Sequence, residues 1–269
     1  MRGALVAAVV LATATCVYAD LQPLQVLKQT DTEVTIGNAA FSVVVKNSGR
    51  LQNIQARGTE YVSFVALYTN PTASRADETI RVVQGETGER RGIGPTPDRI
   101  VAQRRENHYF IALEQTASRP DLCDGAPLYD LHQEIEVAPN GVVRVRYQFD
   151  WRRFFRLNRA TIYLGLTGST FANLPFWADY TTHCNHGFFS ALKQYETFEG
   201  LNGHLRALVV DCPSGPFHFW LDTNTTVTGS YWGESCSAIG VQVPETASGQ
   251  PMYSGATSVV EFTVKMPLA

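Results

Sequence analysis

Between Leu131 and Phe149 the chain runs through two stretches of alternating apolar and polar residues, separated by Ala138-Pro139-Asn140-Gly141. Successive side chains on a strand point to opposite faces, so this alternation describes a sheet with one face buried. Asn-Gly is the dipeptide best suited to a tight hairpin, because both residues tolerate positive φ. The stretch therefore predicts two antiparallel strands, 131–137 and 142–149. Ile135, Val137, Val143, Val145, Tyr147 and Phe149 would point into a core. His132, Glu134, Glu136, Arg144, Arg146 and Gln148 would line the opposite face. That face carries both charge signs, and is either a solvated outer sheet or the floor of a polar cleft.

The same two-residue period recurs along the chain. Phe41–Lys46 is rich in β-branched residues and stops at the turn cluster Asn47-Ser48-Gly49. Strands are also expected at 51–57, 61–68, 80–83, 100–103 and 109–115, and later at 161–166, 187–193, 205–211, 217–222, 238–243 and 259–266. Helical periodicity is almost absent, its best stretch being Arg152–Asn158. Gly85–Pro97 reads as a long loop, a feature that in compact domains often carries function. The fold class this implies is all-β: a large antiparallel β-sandwich with few or no helices, formed as one domain over 20–269.

The first residues predict an exported protein. Arg2, the apolar run Ala4–Ala14 and the small residue Ala19 make a signal peptide over 1–19. The run is too short for a membrane helix, and no later stretch reaches that length, so no membrane insertion is expected after cleavage. Cys16 offers the alternative of a lipid-modified cysteine, although Thr13-Ala14-Thr15 suits that processing poorly. Without Arg2, 21 basic residues face 25 acidic ones, with no basic block, which argues against a nucleic-acid partner. Cys123, Cys184, Cys212 and Cys236 allow up to two disulfides in an oxidising compartment, the alternative being free, partly buried thiols. Their spacing lacks the C-x-x-C of a zinc site, and no motif calls for a cofactor.

Three stretches resemble the galactose-mutarotase-like supersandwich shared by aldose epimerases, non-barrel domains of glycosidases and several polysaccharide lyases. Phe41–Tyr61 is similar to the opening hairpin of that fold, Leu131–Phe149 to its central pair, and Tyr253–Val264 to its closing strand, entered through a Gly-x-Thr turn. The resemblance implies a supersandwich that meets a polysaccharide or oligosaccharide, most naturally a lyase-like enzyme acting on an acidic glycan. A glycan-binding or cell-envelope protein without catalysis, and a sugar epimerase, are the alternatives. The histidine motifs and late catalytic glutamate of the epimerases have no counterpart in this sequence.

The densest set of reactive side chains lies in Phe176–Gly187, which reads as a loop. A uronate lyase needs a group that neutralises the carboxylate, a base for the C5 proton and an acid for the leaving oxygen. Asn185 or Arg146, His183 or Tyr180, and Tyr180 or His186 could fill those roles. The alternative is a solvated polar loop held by a disulfide at Cys184. His183 and His186 lack a third metal ligand. On the hairpin face, Glu134 and Glu136 stand about 7 Å apart, a spacing compatible with a glycosidase pair, but cross-strand pairing with Arg144 and Arg146 is also ordinary sheet stabilisation. His132, Glu134, Glu136 and Arg144 are therefore candidate substrate contacts. Trp177 and Trp232 are candidate platforms on which the C–H face of a sugar ring could stack. Trp220, within Phe217-His-Phe-Trp-Leu221, reads as core.

Overall fold

The two-residue periodicity is realised as two antiparallel sheets that share one apolar core. The computed structural model describes residues 22–72, 82–83, 99–118, 123–189, 197–231, 236–244, 246 and 250–268. The expected leader over 1–19, the expected loop Gly85–Pro97 and Trp232 lie outside the described residues.

Eleven strands among the described residues form the larger sheet. Its path runs from β1 (Gln25–Gln29) through β2 (Glu33–Gly37), β3 (Phe41–Lys46), β4 (Leu51–Ala56) and β5 (Thr59–Thr72). It continues to β11 (Phe155–Thr167), β18 (Cys236–Gln242), β17 (Val227–Tyr231) and β14 (Thr197–Gly203). The short strands β6 (Val82–Val83) and β19 (Gln250–Met252) add to β5 and β11. The smaller sheet has nine strands, in the order β13 (Cys184–Phe188), β12 (Pro175–Tyr180), β15 (Leu205–Cys212), β16 (Gly215–Leu221), β20 (Thr257–Lys265), β10 (Val142–Trp151), β9 (Pro127–Val137), β8 (His108–Ser118) and β7 (Gln103–Arg105). Among the described residues the only helical pieces are one α-turn, Gly168–Phe171, and one 3-10 turn, Cys123–Gly125.

The central hairpin folds as its pattern dictates. Val143 pairs with Val137, Arg144 with Glu136, Arg146 with Glu134 and Gln148 with His132. Ile135, Val137, Val143, Val145, Tyr147 and Phe149 are fully buried. Gly141 adopts φ 76°, the left-handed value that makes glycine the fitting residue there. Phe149 stacks on Trp151 at 5.4 Å and 9°, and burying each such ring contributes about 1.5–3 kcal/mol. Three polar side chains in this core are paired, Tyr129 with Thr69 (2.9 Å), Trp151 Nε1 to Ser258 (3.0 Å) and Gln133 Nε2 to the Gly49 carbonyl (2.8 Å), whereas the buried Gln115 amide has no hydrogen-bond partner among the described residues.

Three sequence expectations are corrected. Arg152–Asn158 is not helical: β11 begins at Phe155, and buried Phe155 and Leu157 flank exposed Arg156 with a strand's period. Phe176–Gly187 is not a loop but a hairpin, β12 and β13, at the edge of the nine-stranded sheet. Its polar residues alternate with Phe176, Ala178 and Tyr180, which supply the buried face. Cys184 and Cys212 are free thiols, so neither takes part in the expected disulfides. Cys184 is exposed on a strand, whereas Cys212 is buried, and burial pushes its thiol up to about 11.

Candidate functional site

Every candidate side chain on a described strand can be placed by register on the nine-stranded sheet. Its outward face divides into two parts. On β9 and β10 most outward positions are charged, and these charges meet one another and Glu114, His108 and Glu261 on the flanking strands β8 and β20. Arg146 lies 3.6 Å from Glu134 and donates to Gln148 at 2.8 Å. Arg144 lies 3.5 Å from Glu136 and 3.7 Å from Glu261. Glu136 also meets His108 Nδ1 at 2.5 Å. His132 stands between Asp150 (3.0 Å) and Glu114 (3.5 Å). Burial alone would push the Asp150 carboxyl up, but hydrogen bonds from Thr257 and Gln148 and the neighbouring His132 hold it below its ordinary value. Glu134 and Glu136 thus serve a cross-strand charge ladder, and neither is left facing an open position as a glycosidase acid would be.

The other part of the face, on β13, β12, β15 and β16, is aromatic. Cross-strand register places His186, Trp177, Val209 and His218 in one row. The next row holds Cys184, Asp179, Ala207 and Trp220. Trp177 is 52% exposed. His218 and Trp220 stack at 5.0 Å and 11°. Trp220 is therefore an outward residue rather than core, a correction that the alternation of Phe217, His218, Phe219 and Trp220 already contained. In these two rows, between the Trp177 strand and the His218–Trp220 strand, β15 offers only Ala207 and Val209. The result is a strip of small residues flanked by rings, with two strand spacings, about 10 Å, between the flanking strands. Burial lowers the His218 pKa, and Lys265 nearby lowers it further. Its imidazole is neutral at pH 7 and can both donate and accept a hydrogen bond.

Of the groups expected to act together in a lyase, Tyr180, His183, Asn185 and His186 share one hairpin, but Tyr180 faces the core and Arg146 is remote. Tyr180 is 5% exposed, faces the core, and has its phenol pushed up by burial, so it is not poised to take a proton. His183 sits exposed in the β12–β13 turn, stacked on the Tyr180 ring at 4.7 Å and bonded through Nδ1 to Thr182 at 3.0 Å. His186 projects outward beside Trp177, while Asn185 takes the alternate position and accepts the His186 backbone N–H at 2.8 Å. Gly187 lets the hairpin close over the core, because a Cβ there would meet the Phe176 ring at 2.9 Å. Arg146 lies four strands from β12, about 19 Å away. One sugar ring cannot bridge that distance within hydrogen-bond reach of both ends. Among the described residues no cluster of His, Cys, Asp and Glu has the arrangement of a metal site.

Sequence reasoning missed His218 and Trp220 as outward residues, and it missed the exposed pair Phe154 and Tyr253. The signal for the first was present in the strand alternation. The second depends on how two turns, about 100 residues apart in sequence, meet in space.

No protein-family model matches the chain, and no curated protein matches it. Solved structures do. The Slr1438 protein of Synechocystis superimposes over 91% of this chain and 100% of its own with a TM-score of 0.58, at 8% identity. A protein of Klebsiella pneumoniae named as a candidate aldose 1-epimerase covers 91% of this chain and 82% of its own, with a TM-score of 0.51 at 8% identity. YeaD of Salmonella typhimurium, named as a candidate mutarotase, covers 91% and 97%, with a TM-score of 0.50 at 12% identity. Identities this low speak for architecture alone: two large antiparallel sheets in this order are the galactose-mutarotase-like fold, and the chain has it.

Proposed function

We propose that this is an exported saccharide-binding protein that holds its ligand, without altering it, on the aromatic part of the nine-stranded sheet. The observation that carries the reading is the half-exposed Trp177 beside a strip of small residues, with the stacked His218–Trp220 pair beyond it. An indole face left open to water meets the C–H face of a pyranose by dispersion and by burial of apolar area. His186, Asp179 and neutral His218 then stand as partners for sugar hydroxyls. The names of the Klebsiella and Salmonella structures supply a sugar ligand by analogy of fold, which is an associational argument. The core-facing Tyr180 phenol and the distance of Arg146 from His183 favour binding over elimination chemistry. Export rests on the leader 1–19.

The test is a panel of oligosaccharides and polysaccharides titrated by calorimetry and by tryptophan fluorescence. Binding that falls by about tenfold or more in Trp177→Ala, the size of a stacked aromatic contact in a binding site, supports the reading. A panel that shows no binding overturns it. New double bonds in a uronate polymer, lost in His183→Ala, would replace it with the lyase reading. Accelerated mutarotation of a free sugar would replace it with the epimerase reading. Mass spectrometry of the mature protein, expected to begin at Asp20, tests export.

A further inference from the structure

Arg144, Arg146 and Arg152 each meet a carboxylate. Arg153 and Arg156 do not: both are exposed, and their side chains have no ion pair or hydrogen bond among the described residues. They flank an aromatic pair. Phe154 is 63% exposed and Tyr253 62%, and their rings meet edge to face at 5.7 Å and 68°. Register continues the pairing, with Phe155 opposite Met252 and Arg156 opposite Pro251. Phe154 and Arg156 project to one side of β11, and Tyr253 and Pro251 lie across from them.

The two turns that present these groups are fastened together. The Gly255 N–H donates to the Trp151 carbonyl at 2.8 Å, the Ser254 hydroxyl to the Arg152 carbonyl at 2.9 Å, and the Trp151 N–H to the Ala256 carbonyl at 3.0 Å. Beneath them Trp151 is anchored by Ser258 and by stacking on Phe149. Large exposed rings beside guanidinium groups that meet no described carboxylate, on backbone already fixed, incur little ordering cost when a ligand arrives.

We propose that the 151–156 and 253–256 turns form a second binding site, for an acidic saccharide. The Phe154 and Tyr253 rings take the C–H face of a sugar, and Arg153 and Arg156 pair with its carboxylate or sulfate groups. Planar guanidinium groups match those oxyanions in a way that ammonium groups do not. The choice of a glycan over other anions rests on the saccharide-binding reading above. An anionic bilayer would also favour arginine with aromatics. However, two rings held edge to face by paired turns offer less apolar area than the face of an interfacial helix. The site lies about 30 Å along the strands and about 19 Å across them from Trp177, so the two sites can be altered separately.

The experiment uses polygalacturonate as the probe, with affinity read by calorimetry at low and high salt. Arg153→Gln/Arg156→Gln is expected to weaken binding by about tenfold or more, because each substitution removes a charge-assisted hydrogen bond to the glycan, and to flatten the salt dependence. Arg153→Lys/Arg156→Lys should keep the salt dependence and lose only part of the affinity. Phe154→Ala should weaken binding at both salt concentrations. Circular dichroism and a thermal melt check that these turn variants remain folded. Unchanged binding in all three overturns the proposal. If Trp177→Ala still abolishes binding in that case, the primary reading stands and only the second site fails. Binding to phosphatidylglycerol vesicles, with none to polygalacturonate, also overturns it, in favour of a membrane surface.

Discussion

The outward face of the nine-stranded sheet is one surface with two behaviours. Over β9 and β10, with Glu114 and Glu261 beside them, its side chains are mostly charged, and they pair across strands. Over β12, β13, β15 and β16 aromatic and small side chains predominate, with few charges among them, and Trp177 is left facing water. Both parts obey the same alternation and cover the same core. The difference lies in whether a side chain's interactions are completed inside the protein. A carboxylate paired with a guanidinium on the next strand has its strongest partner already, and a ligand would have to displace it. An indole on an outer strand has none, and a ligand completes it. Exposed charge on a sheet is thus weak evidence for a site, and exposed aromatic surface is stronger evidence.

Both parts depend most heavily on the core beneath them. Phe149 lies below the charged part and Phe219 below the aromatic part, and both are fully buried. Phe149→Ala and Phe219→Ala are each expected to destabilise the protein by about 3–5 kcal/mol, through lost burial and the cavity left behind. Urea denaturation should show the two costs to be alike. A large inequality would mean that the two parts rest on separately stable cores.

Above the core the two parts should diverge. Trp177→Ala is expected to lower saccharide affinity by about 1.4–2.8 kcal/mol, or ten- to a hundredfold, with a stability change within about 0.5 kcal/mol. Arg146→Ala is expected to do the reverse, costing up to about 1 kcal/mol of stability as a partly exposed ion pair does and leaving affinity untouched. Calorimetry and denaturation on the same two variants decide it. Loss of binding in Arg146→Ala would move the ligand onto the charge ladder and restore His132, Glu134, Glu136 and Arg144 as contacts.

How much of this was legible in the sequence follows from the range of the interactions. The Leu131–Phe149 hairpin is specified by neighbours along the chain, and its faces, turn and partners read off directly. The outward position of Trp220 was equally local, but a tryptophan between phenylalanines looks like core unless the period is counted. Phe176–Gly187 misled because two turns' worth of His, Asn and Thr suggested a loop, while its strand character is imposed by pairing with β15, about 30 residues downstream. The helical reading of Arg152–Asn158 failed for the same reason, since pairing with β5 and β19 fixes that segment. The lyase constellation was the least legible part. Strand order, which no local pattern encodes, keeps Arg146 away from His183, and the strand alternation that turns Tyr180 into the core becomes visible only once the segment is paired with β15.

The smallest effect concerns acid. The Asp150 carboxyl is held below its ordinary value because its hydrogen bonds from Thr257 and Gln148 and its contact with His132 outweigh the cost of burial. A carboxylate with a folded-state pKa below its unfolded one binds fewer protons when folded. Its stabilisation is therefore complete above the unfolded value of 3.8 and is lost as the pH falls through the folded one. For a partly exposed pair the contribution is about 1 kcal/mol or less. Asp150→Asn should then be less stable than the parent at pH 6, and the gap should close as the solution is acidified below pH 3.8. Saccharide affinity at pH 6 should be the same in both proteins, because Asp150 lies on the charged part, away from Trp177. Urea denaturation at a series of pH values provides the test. A gap that persists at the acid end would show that Asp150 stabilises the sheet by packing rather than by charge, and that the ladder is not the electrostatic unit that sets this part of the face apart from the aromatic one.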